Sequence, residues 1–214
     1  MSVAFHRDLA ELRDELAAMS ALATASIALA TQALLDADLH LAEQVISADA
    51  ELDERSARCE ELACALLGQP APGQRELRSV VAAIKVAEKV ERMGDLARHV
   101  AELARRRHPS PVLPGDLRDR FALLGRLATD AGRRVEQALA APTGDRLAEQ
   151  ELADDAIDQL RDELLDQVRR AEPPYLTQVG VDVALLARFY ERFADQAVTV
   201  TRQLDYAVTG QTSV

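Results

Sequence analysis

Tryptophan is absent, aromatic residues make up 3% of the chain, and only 9 glycines and 8 prolines punctuate 214 residues. A sandwich or barrel draws on aromatic and β-branched residues and on frequent turn signals, so both are excluded. Ala, Leu, Glu, Asp and Arg fill most positions instead, which is an all-α composition. There are 2 cysteines, Cys59 and Cys64, five apart on one expected helix. Their side chains point to different faces and cannot reach disulfide geometry, so they read as small buried residues of a reducing cytosol. The 4 histidines are His6, His40, His99 and His108. None sits in a Cys/His metal cluster or in the Glu-x-x-His motif of a ferritin-like di-iron oxidase. His99 follows Asp95 by four residues, but Thr199 stands at the matching place of the repeat described below, so it reads as helix-surface decoration. No Gly-rich phosphate loop is present, and no Ser or Cys nucleophile has a credible base, so we expect no enzyme.

Positive charge is short as well. Lys and Arg number 25 against 36 Asp and Glu, a net charge of −11 that repels a phosphate backbone and argues against nucleic acid. The basic clusters Arg105-Arg106-Arg107-His108 and Arg169-Arg170 fall at expected helix ends, where they compensate the macrodipole. Leu16 to Leu35 carries no charge and is long enough for a bilayer. It contains Ser20, Thr24, Ser26, Thr31 and Gln32, and its large residues follow a stripe continuous with charged sequence, so it reads as a buried bundle helix. Charges at Arg7, Asp8, Glu11, Arg13, Asp14 and Glu15 lead us to expect no secretory leader.

What the chain does have is a repeat. Glu91-Arg92-Met93-Gly94-Asp95-Leu96-Ala97 returns as Glu191-Arg192-Phe193-Ala194-Asp195-Gln196-Ala197, an offset of 191 − 91 = 100. An internal repeat near half the chain length implies two copies of one structural unit. Breakers at Gly68 to Gly73, Pro109 to Gly115, Pro142-Thr143-Gly144 and Pro173-Pro174 divide each copy into helices. The boundary near Asp36-Ala37-Asp38 has neither Gly nor Pro and is placed by analogy with Pro142-Thr143-Gly144. Six helices result, at about 3–36, 39–68, 74–107, 115–140, 144–171 and 176–208.

Apolar stripes agree. Leu9, Leu12, Leu16, Met19, Ala23, Ile27, Ala30 and Leu34 step by three and four along the first helix. Val86, Val90, Met93, Ala97, Val100 and Ala104 do so on the third, and Leu186, Tyr190, Phe193, Ala197, Val200 and Leu204 on the sixth. We therefore expect two tandem antiparallel three-helix bundles, 1–108 and 115–214, joined by a linker at 109–114.

Off the stripe, Glu91 with Asp95 and Glu191 with Asp195 form i, i+4 pairs expected to face outward. The helix before each carries a similar pair, Asp49 with Asp53 and Asp154 with Asp158. If the second and third helices of a copy pack side by side, four carboxylates meet. Like charges at this spacing cost about 0.2–0.5 kcal/mol per pair, which a bundle absorbs, so energy alone does not separate a cation site from a solvated acidic face. Retention of the motif in both copies favours cation binding. All-carboxylate ligands suit Mg²⁺, Mn²⁺, Ca²⁺ or iron. Arg92 and Arg192 either orient a neighbouring carboxylate or make surface ion pairs.

Two tandem three-helix units, each marked by Glu-Arg-x-x-Asp-x-Ala on the third helix and Asp-x-x-x-Asp on the second, resemble the PhoU family of phosphate-signalling regulators over essentially the whole chain. The resemblance implies a cytoplasmic accessory protein, peripheral to the inner membrane through its partners. Those partners would be the Pst phosphate ABC transporter and a PhoR-type sensor histidine kinase, and the protein would repress the phosphate-starvation response. A homodimer is compatible with it. It also implies carboxylate-bound metal, Mg, Mn, Fe or Zn, with Asp49, Asp53, Glu91 and Asp95 as ligands in the first half and Asp154, Asp158, Glu191 and Asp195 in the second. Gln196 stands where the family often has His, which leaves an added nitrogen ligand in question. An accessory protein of a phosphate permease and a carboxylate-bridged metalloenzyme are the alternatives.

Overall fold

The computed structural model describes residues 3–69, 73–143, 145–171 and 175–211. Helices α1 (Val3–Asp36), α2 (Leu39–Leu67), α3 (Gln74–Arg107), α4 (Arg118–Ala140), α5 (Leu147–Arg170) and α6 (Thr177–Thr209) account for nearly all of it, and no strand occurs among the described residues. The breakers at Pro70 to Pro72, Gly144 and Pro173-Pro174 lie outside the described residues.

The expected ends hold within a few residues, and the differences have local causes. Gly115–Leu117 forms a short 3-10 turn, so α4 starts at Arg118 rather than at 115. The α5 helix starts at Leu147 rather than at 144, where the Asp205 carboxylate on α6 accepts the Leu147 backbone N–H. An orphan donor of the first turn is thus satisfied from another helix. Between α1 and α2, Ala37 takes the left-handed conformation at φ 51°, and the Asp38 N–H reaches back to the Ala33 carbonyl at 3.0 Å. Asp38 then caps α2 by accepting the Leu41 N–H at 3.1 Å. This connection has no Gly: Ala37 takes the left-handed position and Asp38 starts the next helix.

Every residue named in the three apolar stripes is buried. In the first half α1, α2 and α3 pack on one another; α4, α5 and α6 do so in the second, and α3 against α6 is the most extensive contact in the molecule. One apolar core runs through both halves. Across it the Tyr190 hydroxyl shares a hydrogen bond with Thr31 Oγ1 at 2.8 Å, and the Tyr190 ring lies 6.2 Å from that of Phe121. Helix α4 runs antiparallel to α1 at close range, with Gly125 against Thr31 and Gly132 against Thr24. Arg107 holds the buried Asp182, and Arg118 holds Asp36 at 2.7 Å, which fastens α3 to α6 and α4 to α1 at one end.

The uncharged stretch of α1 is long and apolar enough to cross a membrane, but 56% of its most apolar window is buried inside the protein. Two of its polar residues are provided for: Thr24 and Thr31 donate to the carbonyls of Ser20 and Ile27 at 2.8 and 2.7 Å. Of the two cysteines, Cys59 is buried against Met19, whereas Cys64 is exposed, contrary to expectation. Five residues of α-helix turn it about 140° away from Cys59 and out of the core.

Candidate functional site: two acidic helix faces

Helices α2 and α3 do pack side by side, as do α5 and α6. Close approach in the first half is permitted by Gly94, where a Cβ would stand 2.0 Å from Leu52 Cδ2. That contact brings Asp49 on α2 beside Asp95 on α3, and the two carboxylates share a guanidinium. Arg98 Nε lies 2.7 Å from Asp49 Oδ2, and its two terminal nitrogens lie 2.9 Å from Asp95 Oδ1 and 2.7 Å from Glu102 Oε1. Arg92 adds a second contact to Asp95 at 3.2 Å. Glu91 accepts the Ser56 hydroxyl at 2.5 Å. Asp53 is exposed. Burial raises the Asp49 carboxyl above its ordinary value; Arg98 pulls it back, while Asp53 and Asp95 push it further up.

The second face has the same carboxylates in a different charge setting. Glu191 is only 5% exposed and so does not face outward as expected. The cause is that α6, unlike a helix with one apolar stripe, is flanked by α3, α4 and α5 at once. Its buried charge is met by Arg161 Nη1 on α5 at 2.6 Å and by Arg188 one turn earlier on α6. Asp158 is half exposed, with Arg161 at 3.9 Å. Asp154 is the unmatched member: its Oδ1 is buried and has no hydrogen-bond partner. Burial pushes its carboxyl up to about 6, and the carboxylates of Asp195, Asp158, Asp155 and Glu191 add to the rise. Asp195 is raised too, by burial and then by Asp158, against the pull of Arg188, Arg192 and Arg161. Asp154, Asp155, Asp195, Glu151, Arg192 and Arg202 line an open groove here.

Among the described residues, no three His, Cys, Asp or Glu side chains converge as a ready coordination set. The eight expected ligands are gathered into two groups without closing on a common point. A hard cation suits the second group in charge and donor type, because a buried carboxylate oxygen there lacks any partner. It does not suit Asp49 and Asp95 of the first, whose oxygens already carry a guanidinium. The residues that sequence reasoning missed are Ser56, Arg98, Arg161 and Arg188. His99 was also misread: it is half buried on the α3–α6 contact, its ring 5.2 Å from that of Phe189. Comparing the repeats position by position would have flagged Arg98, since Val198 stands at its counterpart.

Two helical triplets on one core, each with carboxylates gathered across its second and third helices, define a duplicated helical-bundle protein with an acidic face in each half. The chain belongs to the PhoU family. Residues 16–104 match the PhoU domain. It is 43% identical over 210 residues to the phosphate-specific transport system accessory protein PhoU homolog 1 of Mycobacterium leprae, spanning 98% of this chain and 95% of that protein. Identity is again 43% to homolog 2 of Mycobacterium tuberculosis, over 98% and 99% of the two chains. The crystal structure of the phosphate transport system regulatory protein PhoU from Streptococcus pneumoniae superposes with a TM-score of 0.87 over 98% of this chain and 99% of that one. Its 21% sequence identity makes that a likeness of fold.

Proposed function

We propose that the protein is a non-enzymatic negative regulator of the phosphate-starvation response. It acts as an adaptor between a phosphate ABC transporter and a PhoR-type sensor histidine kinase. The observation that carries this reading is the 43% identity, end to end, with proteins named as accessory to a phosphate-specific transport system. That name favours an ABC-type phosphate system over a permease as the partner. The acidic faces support docking, since their carboxylates stand among arginines in an open, charged setting.

In this reading each partner docks on an outer helical face, and a metal ion, where bound, supplies positive charge that orders the facing carboxylates. Asp154 and Asp195 hold the negative end of that contact, while Arg161 and Arg188 fix Glu191 and Arg161 ties α5 to α6 beside it. The test is a deletion strain without a paralogue, carrying a reporter on a phosphate-starvation promoter. We expect expression in phosphate-rich medium, restored to repression by the intact gene. Normal repression in the deletion strain would refute the regulator.

A further inference from the structure

We propose that Arg98 is the resident cation of the first acidic face, so that metal ions bind this chain in its second half only. The inference rests on the reading of these faces as cation sites and goes beyond it by making the two halves unequal.

The two copies align along their second and third helices. Helix α6 repeats α3 at an offset of 191 − 91 = 100, and α5 repeats α2 at 154 − 49 = 105. At these offsets the carboxylates match and the surrounding charges do not. Arg98 is matched by Val198, Ser56 by Arg161, and Glu88 by Arg188. Each copy thus has one aspartate pair across its two helices, Asp49/Asp95 or Asp154/Asp195, and one glutamate, Glu91 or Glu191. In the first copy the guanidinium sits on the aspartate pair and a neutral hydroxyl serves the glutamate. In the second, two guanidiniums serve the glutamate, and among the described residues no ion pair joins an arginine to Asp154 or Asp195, although Arg192 and Arg202 line the same groove. The positive charge has moved from one arm of the cluster to the other.

The consequence for a metal ion follows from chemistry. Arg98 donates hydrogen bonds to Asp95 and Glu102 on α3 and pairs its charge with Asp49 on α2, with its side chain only 25% exposed. Charge-assisted contacts of this kind are the strong ones, and displacing the guanidinium leaves it partly buried and unpaired. An incoming cation gains no relief of repulsion there because the repulsion has been answered. Glu91 and the exposed Asp53 alone make too few ligands. In the second half the Asp154 Oδ1 is buried with no hydrogen-bond partner among the described residues, and Val198, in the place of Arg98, brings no guanidinium to the aspartate pair.

Mn²⁺ added to chelator-stripped full-length protein, and counted by electron paramagnetic resonance, decides the matter. We expect the wild type to bind Mn²⁺, Asp154→Asn with Asp195→Asn to weaken binding at least ten-fold, and Asp49→Asn with Asp95→Asn to leave it unchanged. Arg98→Gln should add Mn²⁺ bound through Asp49 and Asp95, and Arg98→Lys, which keeps the charge, should add none. Loss of bound Mn²⁺ in the Asp49/Asp95 double variant, or no added Mn²⁺ in a folded Arg98→Gln protein whose second half is loaded, would overturn the inequality. If Arg98→Gln does not fold, the two double variants decide it. No Mn²⁺ bound by any variant would overturn the cation reading beneath it.

Discussion

One carboxyl group above the others, Asp154, makes this protein's stability depend on pH in the mildly acidic range. Unfolded aspartate ionises near 4, whereas burial and the neighbouring carboxylates hold the folded group at about 6. Between those values the folded state keeps a proton that the unfolded state has released, so stability falls as pH rises from about 4 to about 6. Asp49, Asp195 and Asp205 are raised as well and act in the same direction. Asp154→Asn should therefore raise the melting temperature of the metal-free protein at neutral pH and flatten that slope. Solvent screening at a partly exposed site limits the gain to about 1 kcal/mol. A variant that melts lower than wild type at neutral pH would mean that the charged form is satisfied. The carboxylates themselves were legible in the sequence as i, i+4 pairs. Their guanidinium partners were not, because Arg98 and Arg161 acquire a role only when the adjoining helix is in place, and a lone Arg on a charged helix reads as a surface residue.

At the scale of the helix, the steps of three and four identified the buried face of α1, α3 and α6 residue by residue. That worked because long helices in a bundle bury a continuous stripe whatever their neighbours. The same logic failed for Glu191, which pairs with Arg161 of α5, and for His99, which packs on Phe189 of α6; each lies off the stripe against a further neighbour, and sequence periodicity reports the first neighbour and not the third. Spacing between helices is set by smaller features. At Gly94 any side chain meets Leu52, itself buried, with α3 held from behind by α1 and α6. Gly94→Val should cost about 1–3 kcal/mol by overpacking, more than the modest helix propensity it gains. Thermal melts check this, and an unchanged midpoint would show that α2 moves outward freely.

For the molecule as a whole, the duplication was plain from the repeat, but the way the copies join was not. In the structure α3 and α6 lie together and one core passes through both halves. A shared core predicts one cooperative unfolding transition. The chain carries its own reporters, since both cysteines lie in the first half and all three tyrosines in the second. Protection of the buried Cys59 thiol and the near-ultraviolet tyrosine signal should be lost at one urea concentration. Separate midpoints would show that the halves are energetically independent.

The central placing of α3 and α6 leaves α2 and α5 on the flanks, α2 packed on α1 and α3, and α5 on α4 and α6. Two bodies held on those flanks are separated by the packed α3 and α6 helices. Each then meets the other at an effective concentration set by that fixed separation instead of by diffusion through the cell, and occupancy of one flank raises the local supply of the other's ligand without any change of shape.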